Sequence, residues 1–191
     1  DALPILDRYP ALPDEDTERQ MYDTACLRLA DNGYHQYEIS NFAKEGKACR
    51  HNLSYWERKN YLGFGTGAAS LLCEQRYTNT DSLALYIDTM AELEEKKEVI
   101  SKALAAVRAE QHTLSVPEQM EEMFFLGLRK NSGISEADFL GKFGKTVDDI
   151  YAQALEKNQK FGLLVRENGR IFLTKRGREV SNVVMSEFLL D

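Results

Sequence analysis

The chain is poor in the features that most quickly assign a function. Its cysteines are Cys26, Cys49 and Cys73. An odd number at such wide spacing makes neither a disulfide framework nor a C-x-x-C metal motif, so free thiols in a reducing cytoplasm are expected. No run approaches the roughly 20 consecutive apolar residues of a membrane-spanning helix. The opening DALPILDRYP is too polar for a signal peptide and carries Pro4 and Pro10. The chain starts at Asp1 rather than Met, which makes a fragment the expectation. Positive charge is also short: the net charge is −7. Nucleic-acid binding is disfavoured on that ground, because Lys and Arg drive phosphate contacts.

What is present is enough for a core, with 43% apolar and 10% aromatic residues in 191. Asp14, Asp16 or Thr17 can cap a first helix in which Met21, Ala25 and Leu29 recur at helical spacing until Gly33. YHQYEIS then alternates, with His35, Tyr37 and Ile39 on one face, and reads as a strand. Helix followed by strand is the rhythm of an α/β unit with parallel strands. Residues 41–60 read as a long connection, of the sort on which α/β folds carry chemistry. Residues 61–78 look β-rich, and a helix from about Asp81 carries Leu83, Tyr86, Ile87, Met90 and Leu93 as one stripe. The charged stretch 91–112 reads as an exposed helical connector.

The last third is mainly α. Ser115 and Glu118 form a capping-box pattern with Pro117 in the first turn, and Met120, Phe124 and Leu128 follow. Ser135 caps a short helix to Gly144, and another runs from Thr146 to Gly162. Asn168-Gly169 predicts a tight hairpin, and a final helix is expected to turn Val180, Val183, Val184 and Phe188 inward. This is a winged-helix-like plan. Charge disfavours a DNA-binding reading of Lys175, Arg176 and Arg178, because residues 117–191 contain slightly more Asp and Glu than Lys and Arg; a winged-helix nucleic-acid-binding module is the remaining alternative.

Two constellations carry chemistry. In HNLSYW, His51 and Tyr55 share a face in either a strand or a helical turn. Imidazole is an axial ligand for haem iron, and aromatic rings pack on a porphyrin plane. Asn52 can fix a turn or bond a ligand edge. The competing reading is that Tyr55 and Trp56 are core while His51 bonds a backbone carbonyl. In GFGTGAAS, Gly63, Gly65 and Gly67 allow either close approach of a ligand to backbone or tight packing of one element on another. The spacing is neither G-x-G-x-x-G nor a P-loop. Glu38, Ser40 and Asn41, at the end of the strand YHQYEIS, could face a barrel mouth, or Glu38 could be a structural hydrogen-bond acceptor.

Read in order, YEISNFAKEGKACRHNLSYW, YLGFGTGAAS, RYTNT, EMFFLGLRKNSGI and LTKRGREVSNVVMSEFL resemble the HemN/HemW-type radical S-adenosylmethionine proteins. That group holds oxygen-independent coproporphyrinogen III oxidases and haem chaperones. The resemblance spans nearly the whole chain apart from 91–112. It implies an α/β plus mainly α fold: residues 1–80 as the end of a partial β/α barrel, 81–112 as a helical connector, and 113–191 as a helical, winged-helix-like C-terminal domain. H-N-x-x-Y-W is associated with haem in the chaperone branch. The resemblance therefore implies His51 as haem-iron ligand, with Asn52, Tyr55 and Trp56 as motif partners, and Gly63, Gly65 and Gly67 near an S-adenosylmethionine or tetrapyrrole pocket.

The family's [4Fe–4S] cluster is held by C-x-x-x-C-x-x-C, which the three cysteines do not match. Cluster and S-adenosylmethionine chemistry are thus expected only in an intact parent, with no catalytic residue on this chain. Ala69 stands where the family's G-x-G-A-H-S has histidine. A tetrapyrrole, and a haem-acceptor protein for the chaperone branch, are the implied partners. A partial barrel leaves unpaired strand edges, so self-association is expected as well.

Overall fold

The computed structural model describes residues 12–95, 102 and 105–190. The chain divides into two compact units, residues 1–48 and residues 49–191.

In the first unit, helix α1 spans Glu15–Asp31. The Asp14 carboxylate accepts the Thr17 N–H at 2.8 Å, and Glu15, Asp16 and Glu18 sit in the first turn, where the helix dipole favours negative charge. The expected apolar stripe is not a core face. Met21 and Ala25 are exposed and Leu29 is half-buried, and the helix buries no residue fully. The expected strand 34–40 is shorter and of the opposite sense. His35–Gln36 (β1) pairs antiparallel with Phe42–Ala43 (β2). Glu38 is the cause: fully buried, it accepts from the Ser40 N–H at 2.9 Å and from Asn41 Nδ2 at 2.6 Å. Such local side-chain bonds divert a chain from a ladder into a turn. Glu38 is thus a structural acceptor.

The second unit begins with helix α2, Arg50–Trp56, within the stretch expected as a connection. Strands β3 (Ala69–Leu72) and β4 (Gln75–Asn79) form a hairpin whose two-residue turn, Cys73 and Glu74, has φ of 47° and 62°. Positive φ at both centres is the hairpin turn that matches strand twist. Helix α3, Leu83–Glu95, follows. Along its expected stripe Tyr86 and Met90 are half-buried, whereas Leu83 and Ile87 are exposed. The Leu93 side chain lies outside the described residues, as do 96–101, 103 and 104 of the expected connector.

The end of that connector is not helical. Arg108–Thr113 is strand β5, antiparallel to β4, giving the order β3-β4-β5. The period of a charged, exposed stretch is set by its partner rather than by its own propensity, since β5 is paired along one edge and largely solvent-facing. The sheet therefore crosses the positions expected as boundaries near 80 and 112. Among the described residues every strand pair is antiparallel, so the parallel rhythm expected of an α/β unit is absent there.

The C-terminal part follows its sequence signals closely. Helix α4 is Val116–Gly127, with the Ser115/Glu118 capping box formed in both directions. The Glu118 carboxyl is held down to about 2 by the Ser115 N–H and hydroxyl and by His112, whose Nε2 lies 2.7 Å away. Since its folded pKa lies below the ordinary 4.5, its stabilisation is complete above that pH and is lost as pH falls towards 2. Thermal melts between pH 2 and 6 should show Glu118→Gln less stable than the native chain at pH 6, with the gap closing in acid; a constant gap would contradict this.

Helix α5 is Glu136–Phe143, capped by Ser135, and α6 is Val147–Lys160, opened by a Thr146/Asp149 capping box. Strands β7 (Leu164–Glu167) and β8 (Arg170–Leu173) turn at Asn168-Gly169, as the sequence predicts. The hairpin gains a third strand, β6 (Ile134–Ser135), in the order β6-β8-β7. Gly133 makes this possible: at φ 61°, a Cβ there would lie 2.0 Å from the Ile171 carbonyl oxygen.

The final helix is two: α7, Lys175–Glu179, and α8, Ser181–Ser186. They break at Val180, at φ −118° and ψ 30°. The break rotates Val180 and Val183 outward, contrary to expectation, while Val184 and Phe188 are buried. Phe124 forms the centre of this core, with ring centroids 4.5 Å from Phe188 and Tyr151 and 5.8 Å from Phe139.

Candidate functional site

The HNLSYW run is helical, which puts His51 and Tyr55 one turn apart on one face. Their rings meet edge to face, with centroids 4.7 Å apart and an interplanar angle of 84°. Tyr61 continues the row at 4.5 Å from Tyr55, and burial raises its hydroxyl pKa. His51 is exposed, and among the described residues its ring nitrogens make no hydrogen bond. The carbonyl-bonded alternative therefore does not hold. Tyr55 and Trp56 are half-buried rather than core. Trp56 turns away from this row and carries the Arg129 guanidinium 4.4 Å from its ring centroid. The site is a protruding imidazole steadied by an aromatic pair.

Arg58 closes the helix in the left-handed region, at φ 51°, a conformation usually left to glycine or asparagine. Two short ion pairs hold it: Nη2 to Glu74 Oε2 at 2.6 Å and Nε to Glu122 Oε2 at 2.8 Å, with the Arg58 side chain only 4% exposed. Arg76 also reaches Glu122 at 2.8 Å, and Lys142 reaches Glu74 at 2.7 Å. Burial opposes the ionisation of Glu74, but Lys142 and Arg58 outweigh it and hold its carboxyl below the usual range. The network clamps the end of the motif helix to the β3-β4 turn, α4 and α5. Sequence reasoning missed it, since Arg58, Glu74 and Glu122 follow no local spacing.

The glycine loop is engaged with its own chain. The Gly63 N–H donates to Ser70 Oγ at 2.9 Å, Gly65 to Tyr86 Oη at 3.0 Å, and Gly67 to the Thr80 carbonyl at 2.9 Å. Asn79 Nδ2 donates to the Gly63 and Gly65 carbonyls at 3.3 and 2.9 Å. A Cβ on Gly63 would lie 2.3 Å from the Ala69 carbonyl oxygen. Of the two roles open to this loop, close packing is the one its hydrogen bonds serve. Ala69 begins β3 opposite Thr78 and is exposed. The three cysteines are free, and among the described residues no group of three or more His, Cys, Asp or Glu could hold a metal ion. The described residues thus do not fit an iron–sulfur cluster. A single exposed imidazole is the kind of side chain that can serve as an axial ligand to haem iron.

Comparison with known proteins agrees with the order of these elements. Residues 114–180 match the HemN C-terminal domain. The chain is 35% identical over 178 residues to the heme chaperone HemW of Bacillus subtilis, covering 93% of the chain and 44% of that protein. It is 37% identical to the heme chaperone HemW of Lactococcus lactis, covering 94% and 44%. The chain corresponds to a C-terminal portion of the HemN/HemW-type radical S-adenosylmethionine proteins. Its fold also matches that of coproporphyrinogen III oxidase (HemN) from Escherichia coli, described as a radical SAM enzyme, with a TM-score of 0.67. That match covers 93% of this chain and 42% of the oxidase at 16% identity. The chain therefore spans less than half the length of the HemW proteins it matches. Among the described residues no helix is long and apolar enough to cross a membrane.

Proposed function

We propose that this chain is the haem-receiving portion of a HemW-like chaperone, and that His51 is the axial ligand to the iron. The observation that carries the reading is the exposed His51 imidazole, without a hydrogen-bonded partner among the described residues and braced edge-on by Tyr55. An imidazole needed only for packing would be turned inward or bonded to a carbonyl. Asn52, Tyr55 and Trp56 shape the helix that presents it, with Tyr55 limiting rotation of the ring. Haem is the cargo here: iron accepts the imidazole lone pair, and the porphyrin face lies against the aromatic row. The relatives named heme chaperones support this branch. Haemin titration of the chain and of His51→Ala, followed at the Soret band, tests the ligand assignment.

In this reading residues 1–80 come from the end of the barrel region of the longer relatives, which hold the S-adenosylmethionine site and the cluster; residues 81–112 lead through β5, on the edge of the β3-β4 sheet, to the C-terminal domain at 113–191. The parent works in the cytoplasm and hands haem to an acceptor protein. Gly63, Gly65 and Gly67 support the pocket through packing. The alternative, oxidative decarboxylation of coproporphyrinogen III, rests on the fold shared with the oxidase. An anaerobic assay of an intact, cluster-loaded parent separates the two: bound haem without porphyrinogen turnover supports the chaperone, and product formation supports the oxidase.

The exposed apolar residues Met21 and Leu27 on α1, and Leu83 and Ile87 on α3, need covering in such a parent. The isolated chain should therefore self-associate. Light scattering across a concentration series should show mass rising above 21.8 kDa, and a constant monomer mass would contradict it.

A further inference from the structure

A cavity of about 210 Å³ lies beyond the C-terminal end of α2, and the haem reading makes no use of it. Its wall is apolar, formed by Trp56, Met123 and Ile134, and its rim is cationic. Of the charged residues around it, Arg58 and Lys142 are already engaged by Glu74 and Glu122, and Asp138 is exposed. That leaves Lys130, Arg170 and Glu57. Lys130, whose side chain is 11% exposed, has Glu57 as its ion-pair partner at 3.7 Å, beyond hydrogen-bond reach. Glu57 is bonded more closely to Lys59, at 2.6 Å. Arg170 meets no carboxylate among the described residues: its Nε donates to the Ser132 carbonyl at 2.6 Å and its Nη2 to the Gly133 carbonyl at 3.1 Å.

Lys130 thus has only a long contact to a carboxylate that is engaged elsewhere, and Arg170 has only backbone carbonyls. Burial lowers the Lys130 pKa, the nearby Arg170 charge lowers it further, and Glu57 only partly opposes them. A half-buried ammonium whose one carboxylate partner is 3.7 Å away is poorly compensated for its desolvation, and an anion bound beside it would offset that cost.

We propose that this cavity is a binding site for a carboxylate carried on a short apolar arm, with Lys130 and Arg170 receiving the carboxylate and Trp56, Met123 and Ile134 receiving the arm. A phosphate has no apolar arm and would lose hydration against Trp56, Met123 and Ile134 without replacing it. The site is independent of His51 and of haem.

Trp56 is the chain's single tryptophan, so its fluorescence reports on the cavity directly. The test titrates the whole chain at constant ionic strength with butyrate, with the neutral butyramide and with inorganic phosphate. Butyrate should give a saturable change, and butyramide and phosphate should not. Lys130→Met should weaken butyrate binding about tenfold, as expected for loss of one charge-assisted hydrogen bond. Glu57→Gln, which releases Lys130 from its competing carboxylate, should tighten it, and this arm stands even if Lys130→Met fails to fold. No saturable change with butyrate, an equal response to butyramide or phosphate, or a Glu57→Gln affinity no better than native would overturn the proposal.

Discussion

Haemin added to this chain should give a histidine-ligated spectrum, and His51→Ala should abolish it. This is the largest expected effect on binding, because removal of the axial imidazole leaves the iron only hydrophobic contact with the aromatic row. His51 needs no rearrangement to bind: it is exposed and makes no hydrogen bond among the described residues, so no intrachain bond is lost when iron takes its lone pair. Tyr55→Ala should have a graded effect. The edge-on contact at 4.7 Å restricts the imidazole, and its loss leaves the ligand but frees its rotation. Groups that orient a metal-ligating histidine typically account for about 10- to 100-fold in affinity, and a loss towards the lower end is expected for an aromatic brace. Absorbance titrations of both variants check the order: native tightest, Tyr55→Ala intermediate, His51→Ala without the histidine signature. Equal affinities for native and His51→Ala would remove the assignment.

Phe124→Ala should be the most damaging single change to stability. Phe124 is fully buried and stacks on Phe188 at 4.5 Å and 15°, with Tyr151 and Phe139 against its other sides. Burying such a ring and filling its cavity contributes about 3–5 kcal/mol. For a chain of this size that corresponds to a fall of roughly 10 °C in Tm. Phe124→Leu, which keeps much of the volume, should fall by less than half as much. Calorimetry checks the ranking, and a Phe124→Ala melting point within a degree or two of native would contradict the assigned core.

The difference between the two halves of the molecule explains what could be read from sequence. In residues 114–190 the signals are local and agree with one another. Ser115 and Thr146 cap with their third following residues, Asn168-Gly169 turns the hairpin, and Met120, Phe124 and Leu128 share a buried face. The miss there was the break at Val180, where an uninterrupted apolar period concealed a change of direction. Upstream, the apolar periods of α1 and α3 correctly gave helices, but their stripes are not core faces, since Met21 and Ile87 are exposed. Periodicity reports which face could be buried, whereas burial depends on what covers it. The strand at Arg108–Thr113 carries no strand signal because its pairing with β4 comes from distant sequence.

The candidate site divides in the same way. His51 and Tyr55 were legible as a pair, because four-residue spacing puts them together in a helix. The glycine loop was legible as a close approach, and the Gly63 contact with Ala69 supplies one within the chain. Arg58 and Lys130 were not legible at all. Their partners lie far away in sequence or across a cavity, and a lone basic residue beside an aromatic motif has no spacing to distinguish it.

The most direct measurement uses the fact that the chain has three histidines, His35, His51 and His112. In the double variant His35→Gln/His112→Gln, His51 is the sole histidine, and ¹⁵N-histidine labelling then marks one imidazole. Electron–nuclear double resonance on the ferric haemin complex should show a strongly coupled ¹⁵N from that label, absent from the unlabelled protein. A haemin complex that forms with no such coupling would contradict the account, because the iron would then be held by something other than His51.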